Sequence, residues 1–436
     1  MRWIRADRYP RLMRVTWARW QRRIVFLLGG ITVGASAVAL ALLADQVQAA
    51  FALLVGWWRF ASLLVTPLGF VLAVFLTNRY FQNSQGSGIP QAIAARELDD
   101  QAARGGLVSI RIAVGKVLLT LLGLLCGASA GREGPTVQVG ASIMFAIGRL
   151  SPRRQPGLIL AGAAAGVAAA FNTPLAGIVF AIEEMSRAFE TRTSGLVIAS
   201  VIAAGLTSLA LVGNYAYFGT SPTMLRTGVD WLAVPVCGAV GGVAGGLFSR
   251  IVIAVARGLP GLLGRSIKQY RLPFAAACGF AVALCGIASG DTIYGTGYVH
   301  VKAALESGVP LPWHFGLLKF AATTFSTISG IPGGIFSPSL AVGAGLGANI
   351  AHLFPGAPVD AIILLGMVAY FAGVVQAPIT AFVIVTEMTE NHAMVIPLMA
   401  AALIAYLASR LVCPEGIYHA LSKGFLRPSL DTATAR

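Results

Sequence analysis

The tract Gly131-Arg132-Glu133-Gly134-Pro135 stands at the head of an apolar run that continues to residue 149. Proline suits a first helical turn, because the N–H it lacks would have no intrahelical partner there. The tract therefore reads as a helix start whose flanking glycines leave the backbone open to an ion. Unpaired N–H groups and the positive end of the helix dipole together make an anion site. The Glu133 carboxylate can fill that site itself, in competition with a bound anion, and protonation would release it. The competing reading is a glutamate that merely caps its helix and pairs with Arg132. Burying an ionisable group beside a membrane segment is costly, and that favours a functional role.

The membrane setting follows from composition. Of the 436 residues, 56% are hydrophobic and 11% charged, against about 25% charged in an ordinary soluble domain. Apolar segments recur at 24–44, 49–77, 107–128, 134–149, 157–171, 174–190 and 195–214. In the second half they run over 229–256, 273–289, 313–329, 335–353, 359–373, 376–388 and 393–412. Several are shorter than the about 20 residues a spanning helix needs, and glycine and proline separate them. Short, interrupted segments are the pattern of a transporter with discontinuous helices, whose unpaired backbone must face protein or a watery cavity. The apolar stretch inside 22–49 is too long for a cleaved signal and reads as a retained first helix. The five cysteines (Cys126, Cys237, Cys278, Cys285 and Cys413) show no metal-ligand spacing. A soluble enzyme, a disulfide-stapled module and a disordered tail are excluded, and neither metal nor cofactor is expected.

The formal charge of +15 is unevenly placed. Residues 1–23 hold eight arginines against Asp7, and Arg250, Arg257, Arg265, Lys268 and Arg271 form a second cluster. Basic residues accumulate in short cytoplasmic loops, so both clusters read as the inner side, facing anionic lipid headgroups rather than nucleic acid.

The chain also repeats itself. Gly86-Ser87-Gly88 is echoed by Gly295-Thr296-Gly297 at an offset of 209, and Pro135 with Gly140 by Pro338 with Gly343 at 203. Pro174 with Glu183 is echoed by Pro378 with Glu387 at 204, and Gly162, Ala165 and Ala168 by Gly366, Ala369 and Ala372. A duplicated half places the substrate where the halves meet. Periodicity leaves open whether the halves are parallel or inverted.

Further tracts fall on this frame. Gly334-Ile335-Phe336-Ser337-Pro338 is the repeat partner of the Glu133 tract and starts another apolar helix. In Gly86-Ser87-Gly88-Ile89-Pro90 a hydroxyl on a glycine-flanked bend can donate to an anion, or simply cap a helix. Glu183-Glu184 ends the run from Asn172. One of the two suits a proton relay, and the alternative is a pair of helix-end acids contacting basic residues such as Lys116. Tyr418, taken alone, reads as an interfacial anchor.

Together these tracts resemble the CLC family of chloride channels and proton-coupled chloride antiporters. The three filter motifs stand in family order at Gly86–Pro90, Gly131–Pro135 and Gly334–Pro338, and Phe171–Met185 and Tyr418 also match. The resemblance covers about residues 24–424. It implies an all-α fold of two inverted halves, with many tilted and discontinuous helices, assembled as a homodimer with one pathway per subunit. On that basis residues 1–23 are a basic cytoplasmic segment, 24–214 and 215–412 the two repeats, and 413–436 a pore-lining helix and short tail. Ser87 and Tyr418 would give hydroxyls, and Ile335 and Phe336 backbone amides, to a central chloride. Glu133 would be the gating glutamate and Glu184 the internal proton-transfer glutamate, so the implied activity is chloride–proton exchange. The implied setting is a bacterial inner membrane with both termini cytoplasmic. Serine at position 87 is what chloride-selective members carry. Two departures stand out: Gln91 where the first motif commonly ends in Glu, and Ile93 where some bacterial relatives carry another acid. Fewer acids near the inner side alter the support for Glu184. The nearest alternative is a passive channel of the same fold. A distant one is an intramembrane serine protease built on Gly127-Ala128-Ser129-Ala130, which would need a base near Ser129.

Overall fold

The computed structural model describes residues 8–150, 154–186, 191–213, 215–226 and 228–433. Arg2, Arg5 and Asp7 of the first basic cluster lie outside the described residues. The first half consists of α1 (Arg8–Trp57), α2 (Ser62–Tyr80), α3 (Ile89–Glu97), α4 (Gln101–Gly105), α5 (Ile110–Leu125), α6 (Glu133–Ile147), α7 (Gln155–Phe171), α8 (Pro174–Phe180) and α9 (Thr191–Val212). A π-helical turn, Ala181–Ser186, continues α8. The second half consists of α10 (Ala233–Arg257), α11 (Gly261–Gln269), α12 (Arg271–Ala288), α13 (Tyr298–Ser307), α14 (Phe315–Ile328), α15 (Phe336–Ala351), α16 (Val359–Val375), α17 (Pro378–Thr389) and α18 (Val395–Val412). A last helix, α19 (Ile417–Ala433), follows.

The apolar segments fall on helices nearly one for one, with one merger at the start. Residues 24–44 and 49–77 were expected as separate segments behind a distinct basic stretch, yet α1 runs unbroken for 50 residues. The polar interruption at 45–48 is tolerated because its side chains find partners. Asp45 pairs with Arg132 at 2.6 Å, and Gln48 donates to the Ala44 carbonyl while accepting the Thr296 N–H. At about 1.5 Å per residue, such a helix far exceeds the about 30 Å hydrocarbon thickness. Among the described residues seven helices are long and apolar enough to cross a membrane, and four more apolar helices are shorter. The short helices α3, α4, α11 and α13 carry too little apolar length to register as segments.

The halves correspond element by element. α1 packs on α7 and α9, and its counterpart α10 packs on α16 and α18. α6 crosses α7 at Gly140 and Gly162, and α15 crosses α16 at Gly343 and Gly366. A Cβ at any of these would collide with the carbonyl oxygen of the facing glycine. Small residues let membrane helices approach closely enough for dispersion to hold them, since lipid tails remove the hydrophobic drive between helices. Equivalent residues of the two halves also meet. Gly131 and Gly334 exchange both backbone hydrogen bonds at 2.7 Å as an antiparallel bridge. Equivalent residues paired antiparallel require a two-fold relation between the halves.

Candidate functional site

The three glycine tracts are tied together by backbone. Besides the Gly131–Gly334 bridge, the Gly86 N–H donates to Ile331 O at 3.2 Å and the Gly333 N–H to Gly86 O at 3.0 Å. The approach is tight: a Cβ on Gly134 would stand 2.9 Å from Ser87 O and 3.1 Å from the Gly334 Cα. Only glycine lets all three tracts share this space. α6 and α15 both begin here, so two helices aim their N-terminal N–H groups and positive dipole ends at one region.

Glu133 is fully buried at the first position of α6. Its Oε1 accepts from the Ser337 hydroxyl at 2.5 Å and from the Tyr217 hydroxyl at 3.4 Å. Among the described residues Oε2 has no hydrogen-bond partner, and it lies against Gly131. The carboxylate thus occupies the space between the two helix tips, where an anion would be attracted. Arg132 does not pair with it. That guanidinium binds Asp45 and the Ala41 carbonyl, both at 2.6 Å, because α1 rather than α6 supplies the nearer acceptors.

Ser87 sits on a loop held from beneath. Lys116 of α5 donates to Ser84 O and Gly86 O at 2.6 and 2.7 Å. Gln91 adds donation to Asn83 O and Gln85 O, a service an ionised glutamate has no N–H to give. This corrects the pairing of Lys116 with Glu183 and Glu184: the lysine is fully buried under the Ser87 loop. Its repeat counterpart, Lys319, holds Ile293 O and Gly295 O, both at 2.7 Å.

Ser87, Ile335 and Tyr418 line one cavity of about 570 Å³, with Gly86, Pro90, Lys268 and Arg271 also on its wall. The Tyr418 hydroxyl is buried and has no hydrogen-bond partner among the described residues. The Phe336 ring lies 6.0 Å from the Tyr418 ring and touches Phe171, Phe180 and Phe371, which closes the space around the hydroxyl.

The two adjacent glutamates separate. Glu183 accepts the N–H groups of Ile379 and Thr380, at 3.1 and 2.6 Å, at the head of α17. Glu387 returns the arrangement, accepting from Leu175 and Ala176 at the head of α8 at 3.1 and 2.7 Å. Each half thus caps a helix of the other, and Glu183 acts structurally. Glu184 lies in the π-helical turn, a geometry frequent at functional sites, with its side chain 3% exposed. Its carboxylate stands 3.9 Å from His419 Nε2, and its carbonyl oxygen 2.8 Å from the same nitrogen. Both glutamates and His419 line a second cavity of about 860 Å³.

Sequence reasoning passed over Tyr217, which the loop between the halves delivers to Glu133. The loop is fixed by donation from Phe218 N to Met388 O, and the Tyr217 ring packs on Phe171 and Tyr298. Only the aromatic cluster Tyr215, Tyr217 and Phe218 in the linker between the halves hinted at it. Ser129 has hydroxyl neighbours, Thr323 and Ser326, in place of a base, which removes the protease alternative.

Two halves related by a two-fold, with discontinuous helices converging on a buried carboxylate, define a membrane transport protein. The family described as "Voltage gated chloride channel" matches residues 69–410. A protein named H(+)/Cl(−) exchange transporter ClcA, from Yersinia pseudotuberculosis serotype IB (strain PB1/+), is 31% identical over 420 residues, covering 90% of this chain and 85% of that one. The crystal structure of a slow cyanobacterial Cl−/H+ antiporter superposes with a TM-score of 0.76 at 26% identity, over 93% of this chain and 98% of its own. That of a CLC-type fluoride/proton antiporter shares the fold with a TM-score of 0.77 at 24% identity and the same coverage. The chain belongs to the CLC family: it is an all-helical, multi-pass integral membrane protein with bacterial homologues, and not an enzyme.

Proposed function

We propose that this protein exchanges chloride for protons, with Glu133 as the gate and Glu184 as the internal proton carrier. The observation that carries the reading is the Glu133 carboxylate held between the tips of α6 and α15, where an anion would bind. An ionised Glu133 blocks the path and a protonated one yields it, so one side chain couples the two ions. Ser87, Tyr418 and the amides of Ile335 and Phe336 take a dehydrated chloride, and the idle Tyr418 hydroxyl is a donor ready for it. The relatives named as chloride–proton exchangers support the same assignment. The proposed binding residues all come from one chain, which supports one pathway per subunit in a homodimer. The basic residues at 250–271 support a cytoplasmic mouth beside Lys268, and with it a bacterial inner-membrane orientation that leaves both termini cytoplasmic.

Flux in liposomes tests this. A chloride gradient drives protons uphill in the wild type, whereas Glu184→Gln stops proton movement and leaves chloride efflux running. Glu133→Ala also uncouples the two ions. A wild type that moves chloride and never pumps protons is a channel, and overturns the proposal.

A further inference from the structure

We propose that His419 relays protons between the acidic cavity and Glu184; the proposal rests on Glu184 being the internal proton carrier. The second cavity reaches His419 more readily than it reaches Glu184, since their side chains are 17% and 3% exposed. Both residues line the cavity, and the ring stands against Glu184, with Nε2 at 2.8 Å from its carbonyl and 3.9 Å from its Oε1. A neutral imidazole protonated at Nε2 donates to the carbonyl. When Nδ1 takes a proton from cavity water, an N–H bond forms there and the ring becomes cationic. Nε2 then releases its proton to the Glu184 carboxylate, its N–H bond breaking as the O–H bond forms, and the ring is left neutral in its other tautomer. A ring flip resets it. Histidine is the side chain whose ordinary pKa, about 6.5, suits two-way transfer near neutral pH.

The surroundings bear on the charge of the ring. Glu183 and Glu184 face the cavity from the π-helical turn, Glu97 from α3, Arg410 from α18, Glu415 from the turn before α19, and Lys423 from α19 itself. Arg96 of α3 binds the Met185 carbonyl and the Ser186 hydroxyl, so its charge lies beside the same turn. Arg257 pairs with Glu415 at 2.8 Å, so four carboxylates are matched by four cations around the ring.

The test is chloride-driven proton uptake into liposomes holding wild type, His419→Gln, His419→Ala or Glu184→Gln, over the histidine range of about pH 5.5 to 8. Glutamine keeps a donor for the Glu184 carbonyl and cannot titrate. Both His419 variants should lose at least about tenfold in proton uptake, the usual lower range for removing a positioned proton-transfer group. The bend in the wild-type pH profile should vanish with them, and imidazole in the bath should restore uptake to His419→Ala. Wild-type uptake and pH profile in His419→Gln would overturn the proposal, because the ring would then serve only to hold a carbonyl. So would a deficit in His419→Ala that imidazole leaves unchanged. Wild-type uptake in Glu184→Gln would instead remove the underlying reading, which keeps the two failures distinct.

Discussion

One helix separates two cavities of opposite character. Ile417, Tyr418, Leu421, Gly424 and Phe425 of α19 face the cavity that ends at Ser87, whose only charged wall residues among those described are Lys268 and Arg271. His419, Ser422 and Lys423 of the same helix face the other cavity, where Glu97, Glu183, Glu184 and Glu415 outnumber Arg410 and Lys423. Tyr418 and His419 are neighbours in sequence, yet the helical turn points them into different compartments. A wall with an excess of one sign of charge concentrates counter-ions. On the proposed exchange mechanism, this contrast lets wall composition favour chloride on one side of α19 and protons on the other.

The largest expected effect lies at the floor of the basic cavity. Lys116→Met takes the lysine donor from Ser84 O and one of two donors from Gly86 O, which keeps the Gly333 N–H, and a buried acceptor left unpaired costs about 1–3 kcal/mol. Thermal unfolding in detergent should drop sharply, and chloride binding, measured by calorimetry, should weaken as the Ser87 loop loosens. Lys319→Met empties the equivalent place in the second half, under Gly295. It should cost comparable stability while leaving chloride affinity nearer the wild type. Equal loss of affinity in both would mean that the Ser87 loop owes nothing special to its lysine.

A smaller effect belongs to the mouth. Reversing both charges, Lys268→Glu with Arg271→Glu, makes the two cavities alike in sign. Chloride efflux should slow by about tenfold at low ionic strength and recover as salt screens the mouth over a Debye length of about 10 Å. A salt-independent rate would show that the wall charges steer nothing.

Much of this arrangement was readable in the residues themselves. Glycine and proline mark helix starts locally, so Gly86–Pro90, Gly131–Pro135 and Gly334–Pro338 were visible, and their offsets exposed the duplication. Partners across the two-fold were not visible, because the contacts that decide them join residues some 200 positions apart. Glu183 and Glu184 read alike as adjacent acids. Their roles part only because α17 brings N–H groups to one and α19 brings an imidazole to the other. Lys116 was paired with those acids by charge, whereas its actual partners are carbonyls, which a charge count does not see. His419 carried no signal, because nothing in its neighbourhood of sequence announces Glu184.

The smallest effect tests how firmly the dividing wall is anchored. Glu415 sits in the turn before α19 and accepts from Lys423 at 2.9 Å and Arg257 at 2.8 Å. These hydrogen bonds, that from Lys423 foremost, hold its carboxyl below the ordinary 4.5. A depressed value in the folded state means the unfolded chain binds the proton more readily. The stabilisation is therefore complete above about pH 4.5 and fades as the pH falls through the folded value. The pair is solvent-exposed, so its worth is about 0.2–1 kcal/mol and salt erodes it. Glu415→Gln should lower the melting temperature slightly at pH 7, and the wild-type curve should converge on that of the variant below pH 4. Should the two curves run parallel down to pH 3, the ion pair holds nothing, and the start of α19 is fixed by the packing of Ile417 and Tyr418 alone.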